Sequence, residues 1–279
     1  MAMAARSLDR FPLVRTQSPE EMRAALEIVY TRPVLYLPGR TKKVDTVFNY
    51  YPMAAIRLSK VKYGLDLRLA YSDSDLVTQT FPVRGRGVAT VDAFVGPLRP
   101  GQGIVISSGA RVGLTLAANY EALLLLIKTQ ALTGKLSALT GATIKHPLRF
   151  DPVQDGRRPA ANALRNHFFF LVDTLSTCDL PLKKAVLAEF EQTLVVMFLH
   201  ANSHNYSHLL ERDVPDAAPR QVRQAEEYME ANAWRAIALE EFAEVTGVSA
   251  LSLFQAFRRT RGYSPSRFLA RLRSPLGST

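Results

Sequence analysis

The stretch LEEFAEVTGVSALSLFQAFRRTR, residues 239–261, contains two short helical patterns separated by a glycine. The inward face of the first pattern holds the apolar residues Leu239, Phe242 and Ala243. The inward face of the second holds Leu253, Ala256 and Phe257. Gly247 supplies the left-handed backbone conformation of a tight turn, and Ser249 is a good N-terminal cap for the second helix. Helix, glycine turn and helix together predict a helix-turn-helix.

The second helix and the segment after it are strongly basic. Residues 245–279 contain no acidic residue, and their net charge of +6 comes from Arg258, Arg259, Arg261, Arg267, Arg271 and Arg273. Arginines at the end of such a helix can neutralise DNA phosphates, and these contacts fix the register of the protein without reading sequence. A solvated basic face is the alternative interpretation of the charge alone.

Further helical patterns flank this pair. Upstream, an inward apolar stripe is formed by Val222, Ala225 and Met229. Downstream, Ser264 followed by Pro265 is a strong start signal for another helix. We therefore predict an all-α domain over residues 220–279. The polar segment that precedes it contains two prolines and predicts a linker at residues 214–219.

The first 213 residues indicate a different architecture. Between about residues 30 and 151, short apolar runs alternate with Gly, Pro and Ser-Asp turn signals, which is the pattern of a β-barrel or sandwich. Two apolar stripes within residues 160–210 predict an antiparallel helix pair that packs on the barrel or on a second subunit. The expected fold class is α+β: a β-barrel with a helical hairpin, followed by an all-α helix-turn-helix domain.

Composition limits the partners and the location of the protein. The net charge of +10 over 279 residues favours a polyanion such as nucleic acid, although an anionic membrane surface would serve equally well. The single cysteine, Cys178, can form no intramolecular disulfide, and no apolar run predicts a signal peptide or a membrane span. We expect a cytoplasmic protein with no membrane partner.

A family resemblance is carried by three motifs, at residues 239–249, 252–259 and 262–269. Together they resemble the AraC/XylS family of transcription activators. The β-rich region, with LRPGQG at residues 98–103, is similar to the cupin-like sensor domain attached to one branch of that family. This resemblance implies a ligand-responsive transcription regulator that binds promoter DNA and senses a small molecule, often an aromatic or organic acid. It also implies a homodimer that acts with RNA polymerase, with residues 1–213 as the ligand-binding and dimerisation domain.

The resemblance also assigns DNA-binding roles within the second helix. The implied base-reading positions are Ala250, Leu251, Phe254 and Gln255. The implied positions near the DNA backbone are Ser249, Arg258 and Arg259, and Ser252 and Arg261 complete the candidate set. Gln255 can pair with adenine, and Leu251 can contact a thymine methyl group. The aromatic side chain of Phe254 is equally consistent with packing inside the domain and with base reading.

The family's DNA-binding domain normally consists of two helix-turn-helix units bridged by a long helix. Here the helix that starts at Pro265 is followed by SPLGST, residues 274–279, whose proline and glycine end it. We expect the second unit to be missing, and DNA binding by this chain to be weak and poorly selective.

An enzyme is the first alternative to a regulator, because cupin-like barrels often hold a metal ion. The β-rich region has no histidine before His146, which disfavours a transition-metal site there. A second candidate metal site consists of three histidines that are four residues apart and would share one helical face: His200, His204 and His208. Solvated histidines are the competing interpretation. We expect no catalytic residues, no metal and no cofactor.

A binding module that dimerises and holds a ligand without contacting DNA is the second alternative. The expected absence of a second helix-turn-helix favours this alternative. The residues that can pair with an acidic ligand are Arg40, Lys42 and Arg57, which can equally be ordinary surface charges.

Overall fold

The computed structural model describes residues 8–39, 41, 43–153, 156, 158–178, 181–211, 220–248 and 250–273. The chain forms two compact units, Met1–Glu211 and Arg212–Thr279. The predicted linker at residues 214–219 lies outside the described residues. Each unit has its own hydrophobic core.

The first unit combines many short strands with a few helices. Its strands are β1 Pro12–Thr16, β2 Val34–Tyr36, β3 Thr46–Pro52, β4 Ile56–Tyr63, β5 Leu67–Tyr71, β6 Leu76–Arg84, β7 Gly87–Val91, β8 Phe94–Leu98, β9 Val105–Ile106, β10 Val112–Leu116 and β11 Tyr120–Lys128. Its helices are α1 Pro19–Val29, α2 Thr129–Thr140, α3 Pro159–Thr177, α4 Lys184–Ala201 and α5 Ser207–Glu211.

The strands lie in two sheets with antiparallel neighbours. One sheet has the order β1-β3-β4-β11-β6-β9, and the other has the order β2-β5-β10-β7-β8. The prediction of a β-barrel is therefore wrong for the described residues, which form an open sandwich. The sequence could not separate the two, because a sandwich and a barrel share the same alternation of short strands and differ only in whether the edge strands pair.

Strand β11 shows how the layers are stacked. On one side, Ala122, Leu124 and Leu126 belong to the core between the two sheets. On the other side, Leu123, Leu125 and Ile127 belong to the core beneath the helices. A strand that is covered on both faces needs a continuous apolar run, and this one reads YEALLLLIK.

Helices α3 and α4 cover the outer face of the six-stranded sheet. Phe168 of α3 stacks on Phe81 of β6, with 4.7 Å between the ring centroids. On α4, the buried carboxylate of Glu191 accepts hydrogen bonds from the backbone N–H groups of Ala55 at 2.6 Å and Ile56 at 3.0 Å. This carboxylate therefore ties the helix pair to the hairpin between β3 and β4.

Replacing Glu191 with Leu should lower the free energy of unfolding by about 2–4 kcal/mol, because two buried N–H groups lose a charged acceptor. Glu191→Gln keeps one acceptor oxygen and should cost less. Urea denaturation followed by circular dichroism measures both changes. The exposed Glu189→Gln on the same helix is the control, and a loss as large in the control as in Glu191→Leu would contradict the assignment.

The second unit is built from four helices among its described residues. These helices are α6 Arg220–Ala231, α7 Leu239–Thr246, α8 Ala250–Arg261 and α9 Pro265–Arg273. Its buried core consists of Val222, Ala225, Met229, Phe242, Leu253 and Phe257. Gly247 adopts a φ of 68° between α7 and α8, and Gly262 a φ of 74° between α8 and α9. Both turns use a conformation that other residues adopt at a cost.

A three-residue polar cluster connects α6 to α7. The Arg235 guanidinium donates to both carboxylate oxygens of Glu241, at 3.1 and 2.6 Å, and the Tyr228 hydroxyl donates to the same carboxylate at 2.5 Å. The hydrogen bonds from Arg235 and then from Tyr228 lower the pKa of Glu241 from 4.5 to about 2. The ionised form of Glu241 is thus favoured in the folded unit.

The stabilisation from Glu241 should depend on pH. Because its folded pKa is lowered, the contribution is present above the ordinary pKa of 4.5 and is lost as pH falls to about 2. We expect Glu241→Gln to unfold at lower urea than the wild type near neutral pH, and the two midpoints to converge towards pH 2. Fluorescence of Trp234, the single tryptophan and a neighbour of Arg235, follows this transition.

The exposed Glu227→Gln on α6 is the matched control and should track the wild type. A gap between wild type and Glu241→Gln that stays constant from neutral to acidic pH would contradict the role of this carboxylate.

Candidate functional site

The exposed side of α8 carries most of the described residues that the sequence predicted to contact DNA. The buried side holds Leu253 and Phe257, which are fully buried. The exposed residues of the predicted set are Ser252, Gln255, Arg258 and Arg259. Ala250 and Phe254 are half-buried. The predicted cap Ser249 lies outside the described residues, as does the side chain of Leu251.

Arg261 differs from the other two arginines of α8. Its guanidinium donates to both carboxylate oxygens of Glu226 on α6, each at 2.7 Å, and both side chains are only 12% exposed. Such a bidentate pair holds the guanidinium in a fixed geometry. Arg261 therefore joins α8 to α6 inside the unit, and its expected contact with DNA stays a prediction.

The arginines of α9 also have distinct environments. The Arg271 guanidinium lies 5.6 Å from the centre of the Tyr263 ring. Arg273 donates to the backbone oxygens of Ala233, at 2.9 Å, and of Arg235. Arg267 is exposed. The exposed basic side chains of α8 and α9 are thus those of Arg258, Arg259, Arg267, Arg271 and Arg273. Arg271 and Arg273 also contact other residues of the unit.

Three basic residues of the first unit were predicted to bind a ligand, and the structure describes one of them, Arg57. Arg40 and Lys42 lie outside the described residues. Arg57 is half-buried on β4, opposite Leu126 of β11, on the face that turns towards the second sheet. Burial raises the pKa of the nearby Tyr50 hydroxyl, and the positive charge of Arg57 partly opposes this shift. Arg57 is therefore a cation at the margin of the inter-sheet core.

Four buried tyrosines, which the sequence analysis did not single out, share this core: Tyr30, Tyr63, Tyr71 and Tyr120. The rings of Tyr30 and Tyr71 lie 4.8 Å apart. Burial raises the pKa of Tyr30 to about 12 and raises the pKa of the other three as well. Neutral hydroxyl groups are thus present in an otherwise apolar interior. The alternation of β4, β5 and β11 could have indicated the inward position of three of them.

The three histidines of the predicted metal alternative are not arranged as a metal site. Among the described residues, no group of three His, Cys, Asp or Glu side chains could hold a metal ion. The Nδ1 atom of His204 accepts a hydrogen bond from the backbone N–H of Tyr206 at 3.2 Å, and burial lowers the pKa of this imidazole. His204 therefore has a local structural contact within the turn between α4 and α5.

The helix pair carries an exposed aromatic surface. The side chain of Phe170 on α3 is 59% exposed, although its ring lies 6.0 Å from that of Phe190 on α4. Val186 on α4 is also exposed. Apolar side chains of this size are usually covered when they form a contiguous surface.

The model of a protein family described as the AraC-binding-like domain matches residues 22–200. The chain belongs to the AraC-binding-like domain family. The match includes the two sheets from α1 onwards and most of the helix pair, and so confirms the resemblance of the β-rich region to the family's sensor. A search of curated proteins finds no match.

Several solved structures are similar to the chain at low identity. The crystal structure of the AraC-like transcriptional activator CuxR matches with 16% identity, covers 86% of this chain and 84% of that chain, and has a TM-score of 0.48. The cupin domain of Schizosaccharomyces pombe Cnp3 matches with 7% identity, 33% and 71% coverage and a TM-score of 0.29. Ectoine synthase from P. lautus matches with 10% identity, 30% and 64% coverage and a TM-score of 0.28.

No described helix of this AraC-binding-like protein is long and apolar enough to cross a membrane.

Proposed function

We propose that this AraC-binding-like protein is a cytoplasmic transcription regulator, and specifically an activator, that responds to a small organic molecule. In this proposal the sandwich is a cupin-like sensor, and α7 and α8 are a helix-turn-helix that binds promoter DNA. It is not an enzyme, and RNA polymerase is its partner in activation. The observation that supports DNA binding most directly is the exposed side of α8, where Gln255 is followed by Arg258 and Arg259.

The proposed contacts follow from side-chain chemistry. Arg258 and Arg259 neutralise phosphates, which supplies affinity but no sequence preference. Gln255 reads adenine with its amide. The remaining proposed contacts are Ser249, Ala250, Leu251, Ser252 and Phe254. The half-buried Phe254 is the one whose packing competes with base reading.

Replacing both Arg258 and Arg259 with Ala should weaken binding to all DNA sequences alike. The slope of log affinity against log salt should fall in magnitude by about 2, since two phosphate contacts are lost. Gln255→Ala should instead reduce the preference for the cognate promoter over scrambled DNA and leave the salt slope unchanged. Fluorescence anisotropy titrations at several salt concentrations measure both quantities.

The double variant Arg220→Ala with Arg223→Ala on α6 removes the same charge from exposed positions and is the control. An unchanged salt slope in the Arg258 and Arg259 variant, or an equal loss in the control, would contradict the proposed interface.

One recognition helix reaches few base edges, and each good contact contributes roughly 1–3 kcal/mol of discrimination. We therefore expect modest selectivity from α8 acting alone. Two recognition helices in a homodimer would raise the effective affinity, because the second binding event becomes intramolecular. The proposed dimer contact is the aromatic surface around Phe170.

Residues 1–213 expressed alone should fold and form a dimer through the helix pair. Phe170→Glu should convert this dimer to a monomer, because it places a charge on the apolar surface that the second subunit covers. Light scattering at tens of micromolar protein measures the mass. Ile28→Glu, at another exposed apolar residue, is the control, and a wild-type fragment that is already monomeric would contradict the proposal.

The second candidate function is a ligand-binding and dimerisation module that does not bind DNA. The completeness of the first unit, with a core on both faces of its six-stranded sheet, supports this alternative. The anisotropy titrations discriminate between the two functions, since a pure binding module shows no salt-dependent binding to any DNA. In both functions Arg57 is the proposed partner of an acidic effector inside the sandwich.

A further inference from the structure

A cleft of about 300 Å³ lies on the helix side of the six-stranded sheet, away from Arg57. Its walls are formed by the end of β6, the turn after β8 and one side of α3. The lining residues are Phe81, Pro82, Val83, Pro100, Gly101, Gln102, Gly103, Gly156, Ala161, Asn162, Arg165, Asn166 and Phe169. Phe81 packs in the core beneath the helices, whereas Arg57 faces the inter-sheet core, so the sheet itself separates the two places.

The floor of the cleft is apolar and buried. Phe81 is 5% exposed and Phe169 is 6% exposed, with 5.6 Å between their ring centroids. The turn above them is fixed to β6, because Ile104 N–H donates to Thr80 Oγ1 at 3.0 Å and Thr80 N–H donates to the Ile104 oxygen at 3.0 Å. A Cβ at Gly103 would lie 1.9 Å from the Thr80 carbonyl oxygen, so only glycine allows this approach.

The rim of the cleft is polar and positively charged. Asn162, Arg165, Asn166 and Phe169 follow one another at the spacing of a single helical face. The Arg165 guanidinium donates to Asn162 Oδ1 at 3.2 Å. Within the described part of the chain, no carboxylate lies within ion-pair distance of Arg165, and none lines the cleft. A half-buried guanidinium with only a neutral amide as partner favours an anion.

We propose that this cleft binds a small organic carboxylate, whose carboxylate is held by Arg165 and Asn162 and whose apolar ring lies against Phe81 and Phe169. The volume is at the lower end of the roughly 300–1,000 Å³ typical of ligand sites, which suits a single ring. Inorganic anions lack the apolar part that the floor requires, and neutral rings lack the charge. The cleft is a carboxylate site additional to the one proposed at Arg57. A role for it in sensing rests on the proposed function, but the binding itself does not.

The test is isothermal titration calorimetry on the full chain without DNA, with phenylacetate as the probe. Phenylacetamide has the same shape without the charge, and acetate has the charge without the ring. We expect phenylacetate to bind at least about tenfold more tightly than either, because it alone satisfies both Arg165 and the apolar floor.

Two variants locate the site. Arg165→Gln removes the charge, and Asn162→Asp places a carboxylate beside Arg165 without changing the shape. Both should weaken phenylacetate binding by about tenfold or more, whereas Arg165→Lys should retain part of it. Asn162→Asp is not expected to destabilise the protein, since an acidic residue near the start of α3 is favourable to the helix dipole.

The control variant is Arg68→Gln, in a larger open cleft on the outer face of the five-stranded sheet. Unchanged binding in this control, together with the losses above, supports the assignment. No binding of phenylacetate to the wild type, or a loss confined to Arg68→Gln, overturns it. A loss confined to Arg57→Gln would place phenylacetate at the effector position proposed within the sandwich and would likewise overturn it. A protein that binds phenylacetate but no DNA would contradict the regulator proposal and leave this site standing.

Discussion

The sandwich depends on the requirement that β11 be covered on both faces. Its six residues from Ala122 to Ile127 are all buried, so no arrangement that exposes either side of this strand is stable. The five-stranded sheet covers one face, and α2, α3 and α4 cover the other. The buried Glu191 carboxylate then sets where α4 sits, because its two backbone donors belong to the hairpin beside β4. The layer order follows from these two constraints.

The sequence predicted the main elements because their signals are local. A continuous apolar run, a helical stripe or a glycine after a short helix depends only on neighbouring residues, and the apolar residues assigned inward in α6 and α8 are buried or half-buried. The closure of the sheets was predicted wrongly, since it depends on edge strands far apart in the chain. The ion pair of Arg261 was not predicted, for the same reason. Its partner Glu226 is on another helix, and only the packing of α6 against α8 brings them together.

The candidate sites differ in how much of each could be predicted from the sequence. Gln255, Arg258 and Arg259 could be selected from one helical face, and Arg57 from its residue type alone. The cleft beside Arg165 could not be foreseen, because it joins LRPGQG to a helix some sixty residues later along the chain. The family match covers most of the first unit, while the proposed DNA contacts lie in the second. The two proposals therefore stand on separate structural observations.

The ion pair between Arg261 and Glu226 distinguishes two kinds of residue on α8. Some side chains can be replaced without loss of an ion pair inside the unit, whereas Arg261 makes such a pair. The exposed side chains of Ser252, Gln255, Arg258 and Arg259 can be replaced without removing a core residue, whereas Leu253 and Phe257 on the same helix are fully buried. Arg261 belongs to the scaffold, although in sequence it looks like the last member of a single basic run. A transplant of this helix into a related protein would need an acidic residue at the position equivalent to Glu226. In a set of homologues, these two positions should vary together, whereas the exposed positions of α8 should vary independently of them.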